Sequence, residues 1–156
     1  MKITITLLVA LAISAVLFMI FLGWQSRKGE AGGLLEGNLL PCERSPNCVC
    51  SEFPENAPHY VKPLTVGSEN ADAVMARATA VLESMEGKVT QADSRYLSAE
   101  FSSGVFGMVD DFELRLDDDG LLHLRSASRV GRYDWNVNLH RAEKFQQLFT
   151  EAGAGS

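Results

Sequence analysis

From Ile3 to Leu22 the chain has no charged residue, no proline and no glycine. At 1.5 Å per residue, a helix of that length spans about 30 Å, the hydrocarbon thickness of a bilayer. Thirteen of these twenty residues are Leu, Ile, Val or Phe. At roughly −0.3 to −0.6 kcal/mol each they favour insertion by about 4–8 kcal/mol. No Ala-x-Ala follows the run, which ends in Gly23-Trp24-Gln25. Lys2 gives the basic start of a secretory signal, but the apolar core exceeds the roughly 7–15 residues such signals use. Lipoprotein processing fits poorly too, because Leu39-Leu40-Pro41-Cys42 has proline where a small residue is needed. Residues 1–24 are therefore expected to be an uncleaved transmembrane anchor, with Trp24 at the membrane–water boundary. Charge does not orient it: Lys2 and the α-amine flank one end, Arg27 and Lys28 the other.

Basic residues are scarce beyond the anchor. Residues 42–156 hold eleven basic and eighteen acidic side chains. An acidic domain without a basic stripe is a poor partner for nucleic acid or anionic headgroups. Cysteine is scarce as well: Cys42, Cys48 and Cys50 lie within nine residues. A short Cys42–Cys48 disulfide with Cys50 spare is the economical reading, worth on the order of 2–3 kcal/mol. It places the domain in an oxidising compartment, on the periplasmic side of an inner membrane. The rival is a thiol-redox or zinc site at Cys42, Cys48 and Cys50, with His59 as a fourth zinc ligand. That spacing matches no usual finger or ribbon, so no metal and no cofactor are expected.

Residues 25–41 carry Gly29, Gly32, Gly33 and Gly37 and read as a flexible tether with a reach of about 20–25 Å. Leu34, Leu35, Leu39 and Leu40 are apolar enough for its later half to pack on the domain. Residues 42–150 are the size of one domain, with 151–156 a disordered tail. Pro41 to Cys48 is turn chemistry, and Phe53 to Pro58 continues as loop. A short strand is expected at His59–Leu64, then a helix capped by Ser68 or Asn70 and ended by Gly87. Strands follow at Lys88–Ala92, Tyr96–Phe101, Gly107–Leu116 and Leu121–Val130, then a helix over Asn138–Thr150. The order β-α-β-β-β-β-α gives an α+β domain, an antiparallel sheet of about five strands with two helices packed on one face.

Asp117-Asp118-Asp119-Gly120 is a hairpin signal. Pairing Asp117 with Leu121 sets Leu116 opposite Leu122, Leu114 opposite Leu124 and Phe112 opposite Ser126 on the core face. On the other face Glu113 lies opposite Arg125, Arg115 opposite His123, and Arg129 diagonal to Asp111. Asp110 falls on the apolar face opposite Ser128, where a carboxylate must find donors. It is read either as a structural tie for the loop 131–137 or as a ligand-binding or catalytic group. That loop, Gly131 to Asn138, is read either as a ligand rim at a helix start or as an ordinary cap. In the cap reading Asn136 or Asn138 bonds the first turn and Trp135 packs beneath. The candidate binding set is Asp110, Asp111, Arg125, Ser126, Ser128, Arg129, Asp134 and Asn138.

Cys42-x-x-Ser45-Pro46-Asn47-Cys48-Val49-x-Ser51, His59 with Pro63-Leu64, Tyr96-Leu97, Val109-Asp110-Asp111, the run Arg125 to Gly131, Asp134 and Asn138 resemble domain of unknown function 1499. The resemblance covers nearly all of residues 42–149. It implies a bacterial family, commonly with an N-terminal apolar segment, and brings no assigned reaction. Cys50 stands where the pattern usually has Ser, and Trp135 where a small residue, often Gly, is usual.

The leading expectation is a non-enzymatic, membrane-anchored periplasmic domain binding a small ligand, a lipid or an envelope protein. The alternative is a hydrolase using Ser126 or Ser128 with His59 or His140 and Asp110 or Asp134, although no Gly-x-Ser-x-Gly elbow is present.

Overall fold

The charge-free run folds as a single helix, α1 (Lys2–Ser26), in a computed structural model that describes residues 2–43 and 46–154. Its 25 residues make it long and apolar enough to cross a membrane. All but its last turn is open to the surroundings, and only Gly23 and Ser26 are buried. Two short strands follow, β1 (Leu34–Leu35) and β2 (Asn38–Leu39), paired as a miniature hairpin. Next come β3 (Cys48–Cys50), a 3-10 turn at Ala57–His59, β4 (Leu64–Thr65) and α2 (Ala71–Ser84). Four longer strands, β5 (Lys88–Ala92), β6 (Tyr96–Ser102), β7 (Val109–Leu116) and β8 (Leu121–Ser128), lead to α3 (Val137–Ala154).

The main sheet is antiparallel, in the order β3-β8-β7-β6-β5, with β4 also paired to β8. It is the expected α+β architecture. The strands β3 and β4 share one flank of β8, so they act as a broken edge strand. This is a correction to two expectations. Cys48, expected to close a turn, opens the strand Cys48–Cys50, and the strand expected over His59–Leu64 is confined to Leu64–Thr65, with His59 ending a 3-10 turn. Proline explains the second case, since Pro58 and Pro63 have no amide to give a ladder.

The central hairpin has the expected register, from Leu116 opposite Leu122 to Asp110 opposite Ser128. Asp117 fixes it chemically, because its Oδ1 accepts the amides of Asp119 at 3.0 Å and Leu121 at 2.7 Å. Burial works to raise the Asp117 carboxyl, but these amides and the His123 ring outweigh it and hold it low. Gly120 is obligatory twice over. Its φ is +73°, and a Cβ there would meet the Gly67 carbonyl oxygen at 2.1 Å.

Both α2 and α3 lie on one face, over a core of Phe112, Leu114, Leu122 and Leu124. Asn70 caps α2 through the Ala73 amide at 3.1 Å. That helix ends with Glu86, not Gly87, in the left-handed region at φ 67°. Gly87 instead gives Phe101 room, for a Cβ there would touch the ring at 2.7 Å. Helix α3 runs a turn beyond its expected end, to Ala154, while Gly155 and Ser156 lie outside the described residues.

The opposite face of the sheet carries charge, and it is covered. Glu113 is fully buried. Its carboxylate takes the Gly33 amide at 2.7 Å, the Tyr96 hydroxyl at 2.8 Å and Arg125 Nη1 at 2.7 Å. Arg115 forks onto Glu52 at 2.6 and 3.0 Å. Leu39, Phe53 and the three cysteines close over these groups. Cys42 and Cys48 are joined, with Cα atoms 5.6 Å apart.

Cys50 is a buried free thiol, pushed up to about 11 by burial. A thiol-reactive dye should therefore find no thiol in the folded, oxidised chain and one after denaturation; three would rule out the disulfide. Burial, and then the Glu113 carboxylate, raise the Tyr96 phenol. The unfolded chain thus loses this proton first, and stability falls as pH rises past the ordinary tyrosine value of about 10. Tyr96→Phe should flatten that alkaline loss while costing about 1–2 kcal/mol at neutral pH. Denaturation series giving both proteins the same slope above about pH 10 would contradict it.

Candidate functional site

Strand alternation divides the candidate residues between two faces of the sheet. Asp111, Arg125 and Arg129 lie on the covered, charged face. Arg129 forks onto Asp111 at 2.6 and 2.8 Å and reaches Glu100 at 2.8 Å. Those bonds hold the guanidinium more firmly protonated than usual. Arg125 makes a single bond to Glu113, from Nη1 at 2.7 Å. These three side chains tie the sheet together beneath its covering segment.

Asp110, Ser126, Ser128, Asp134 and Asn138 gather at the other face, where the end of β8 meets the start of α3. Asn138 is the hub. Its Nδ2 lies 2.9–3.0 Å from three acceptors, the Asn47 carbonyl, Ser128 Oγ and Asp134 Oδ2, which share its two N–H groups. Its Oδ1 accepts Ser126 Oγ at 2.6 Å and Arg141 Nη1 at 2.8 Å. Arg141 then reaches Asp110 Oδ2 at 3.0 Å and lies over the Phe101 ring. The carboxylate on the apolar face thus finds its donor on α3.

Arg141 was not among the sequence candidates, yet a signal for it existed. It stands three residues after Asn138 and one before the buried Ala142, so helical spacing puts it on the inward stripe.

Two features of the cap reading are corrected. Asp134 is the capping residue, accepting the Asn136 amide at 3.1 Å and the Asn138 amide at 2.9 Å. Trp135 does not pack beneath the helix but stands 92% exposed at φ 57°. The next residue, Asn136, is left-handed as well, at φ 62°. This pair of positive φ angles turns the chain outward before α3 begins.

Beside the hub lies a cleft of about 400 Å³. Asp110, Ser128, Asp134 and Arg141 form its floor. Met108, Val130, Tyr133, Trp135 and Val137 supply the apolar part of its lining, the exposed Ser102 and Ser103 stand at its rim, and Met19 of α1 contributes from the helix.

The serines proposed as nucleophiles have no histidine partner among the described contacts. Ser126 is buried against Asn138, His59 binds the Cys48 carbonyl, and His140 faces Glu143. A different serine does meet a histidine. Ser51 Oγ lies 3.2 Å from His123 Nδ1, whose Nε2 lies 3.2 Å from Asp117 Oδ2. Ser51 is only 2% exposed, and its oxygen accepts the Leu124 amide at 2.8 Å. The chain of bonds pins β3 to β8 and leaves no approach to the hydroxyl.

The zinc reading fails on geometry. Two of its cysteines are spent in the disulfide, and no group of three or more metal-ligating side chains is gathered among the described residues.

The profile of the family described as "Protein of unknown function (DUF1499)" matches residues 38–149. The chain belongs to this family. The match begins at β2 and ends near the end of α3, so it takes in the whole sheet, the disulfide, the hub and the cleft floor. It omits α1. No curated protein matches the chain.

The DUF1499 core of this chain therefore has a hydrogen-bonded hub at one sheet end. Asn138→Ala is expected to lower stability by about 2–4 kcal/mol, since it strands the Asn47 carbonyl, Ser126 and Arg141 together. Asp134→Ala removes mainly a cap and should cost about 1 kcal/mol. Equal losses in chemical denaturation would show that Asn138 is no more than a cap residue.

Proposed function

We propose that this protein is a membrane-anchored binding module that holds an amphiphilic ligand, a lipid or lipid-like small molecule, at the membrane boundary. The observation that carries this reading is the composition of the cleft. Its half-buried side chains are charged and hydrogen-bonded, its exposed rim is mostly apolar apart from Ser102 and Ser103, and its lining includes Met19, inside the hydrocarbon-compatible run of α1. An amphiphile has the same polarity gradient.

The floor carries Asp110 and Asp134 against a single Arg141, so it suits a head with ammonium or hydroxyl donors better than a second anion. The hub has fixed these groups before any ligand arrives, which reduces the ordering cost of binding. The Cys42–Cys48 disulfide supports an oxidising compartment and hence a periplasmic domain on an inner membrane.

Native mass spectrometry of the full chain extracted in mild detergent tests the reading. A co-purifying small-molecule adduct is expected on the wild type. It should be lost from Val137→Trp, which fills the mouth from an exposed position at the start of α3 without touching the hub. An adduct equally present in both proteins, or absent from the wild type, would refute the cleft as the site. A bound polypeptide in place of the adduct would favour an envelope protein partner.

A further inference from the structure

The last turn of α1 is seated on the domain. Ser26 Oγ accepts the Val109 amide at 2.7 Å and donates to the Val109 carbonyl at 3.1 Å. Arg129 Nη1 adds a bond to the Ser26 carbonyl at 3.3 Å. Three residues earlier, Gly23 packs so closely that a Cβ would meet the Phe106 carbonyl oxygen at 2.0 Å. The Arg27 guanidinium then lies against Gly107. Helix α1 is therefore gripped at its exit, and the loop 103–108 runs back alongside it.

That grip fixes where two loops stand relative to the apolar run. Met19 lies three residues inside the end of that run, about 5 Å below Leu22 along the axis. It shares the cleft with Tyr133 and Trp135. The tips of both loops are apolar and bare: Val105 is 84% exposed and Trp135 92%. An exposed tryptophan at a left-handed φ gains no packing in return for a conformation that favours glycine. At the exit of the apolar run Trp24 carries Lys28 over its ring at 3.4 Å, an aromatic and basic pair of the kind found at a membrane–water interface.

We infer that Val105, Tyr133 and Trp135 dip into the lipid interface beside α1, so that the bilayer is the partner of this surface and holds the domain in one fixed pose. The inference rests on α1 crossing the membrane and not on anything occupying the cleft. Continuity decides the occupant. The loops lie against a helix whose neighbouring residues need lipid, and a second protein copy would have to displace that lipid.

The test uses the full chain in phosphatidylcholine vesicles, with and without bromine on the acyl chains. The chain has two tryptophans. Trp24→Phe leaves Trp135 as sole reporter, and Trp135→Phe leaves Trp24. Trp135 emission is expected to be blue-shifted, to fall about twofold in the brominated vesicles, and to resist aqueous iodide. Quenching by iodide and not by bromolipid would put the loops in water and overturn the inference. Shielding from both would also overturn it, in favour of a protein interface. If Trp24 too escapes bromolipid, the anchor reading fails, and the docking with it. Quenching of Trp24 alone would sink the docking and leave the anchor standing.

Discussion

The amide side chain of Asn138 holds four pieces of chain at one point. It joins the residue before β3, the end of β8, the loop ahead of α3 and Arg141 on α3 itself. Nothing apolar can replace it, because each of these partners is a buried or half-buried polar group that needs a bond. Through Arg141 it also sets the position of Asp110, so the charged floor of the cleft follows from one fully ordered amide. The α3 stripe that covers the sheet and the cleft beside it thus share a single anchor.

The opposite face of the sheet works by a different means. Glu113 is a buried charge, and such a charge is tolerated only when paired and hydrogen-bonded. Two of its three partners come from neighbouring strands, and the third is a backbone amide from Gly33, ahead of the matched family region. The segment joining α1 to the sheet is therefore part of the covering of the charged face. Leu39 is buried there beside the disulfide, while Leu34 and Leu35 remain exposed.

Helix α1, covering segment and cleft form one continuous arrangement. Ser26 and Gly23 seat the end of α1 on the start of β7, which also carries Asp110. The cleft opens beside that junction, with Met19 on its wall. Polar side chains from the sheet end and an apolar residue of α1 thus line the same cleft.

Local chemistry determined much of this protein. A twenty-residue apolar run, an Asp-Gly turn and strict alternation suffice to specify a membrane-length helix, a hairpin register and the two faces of the sheet. Cysteines six residues apart are within reach of a short disulfide, and the fold joins Cys42 to Cys48 and buries Cys50 as a free thiol. These are short-range constraints, and each acts within a few residues. Tertiary structure decided which polar groups meet. Asp110 and Arg141 are 31 residues apart, Ser51 and His123 are 72 apart, and Ser26 and Val109 are 83 apart. No periodicity encodes such pairs, because they depend on how α1, β3 and α3 are laid against the sheet. The outward turn of Trp135 belongs to the same class, since two left-handed residues and a capping Asp134 had to be in place before the side chain could face away from the core.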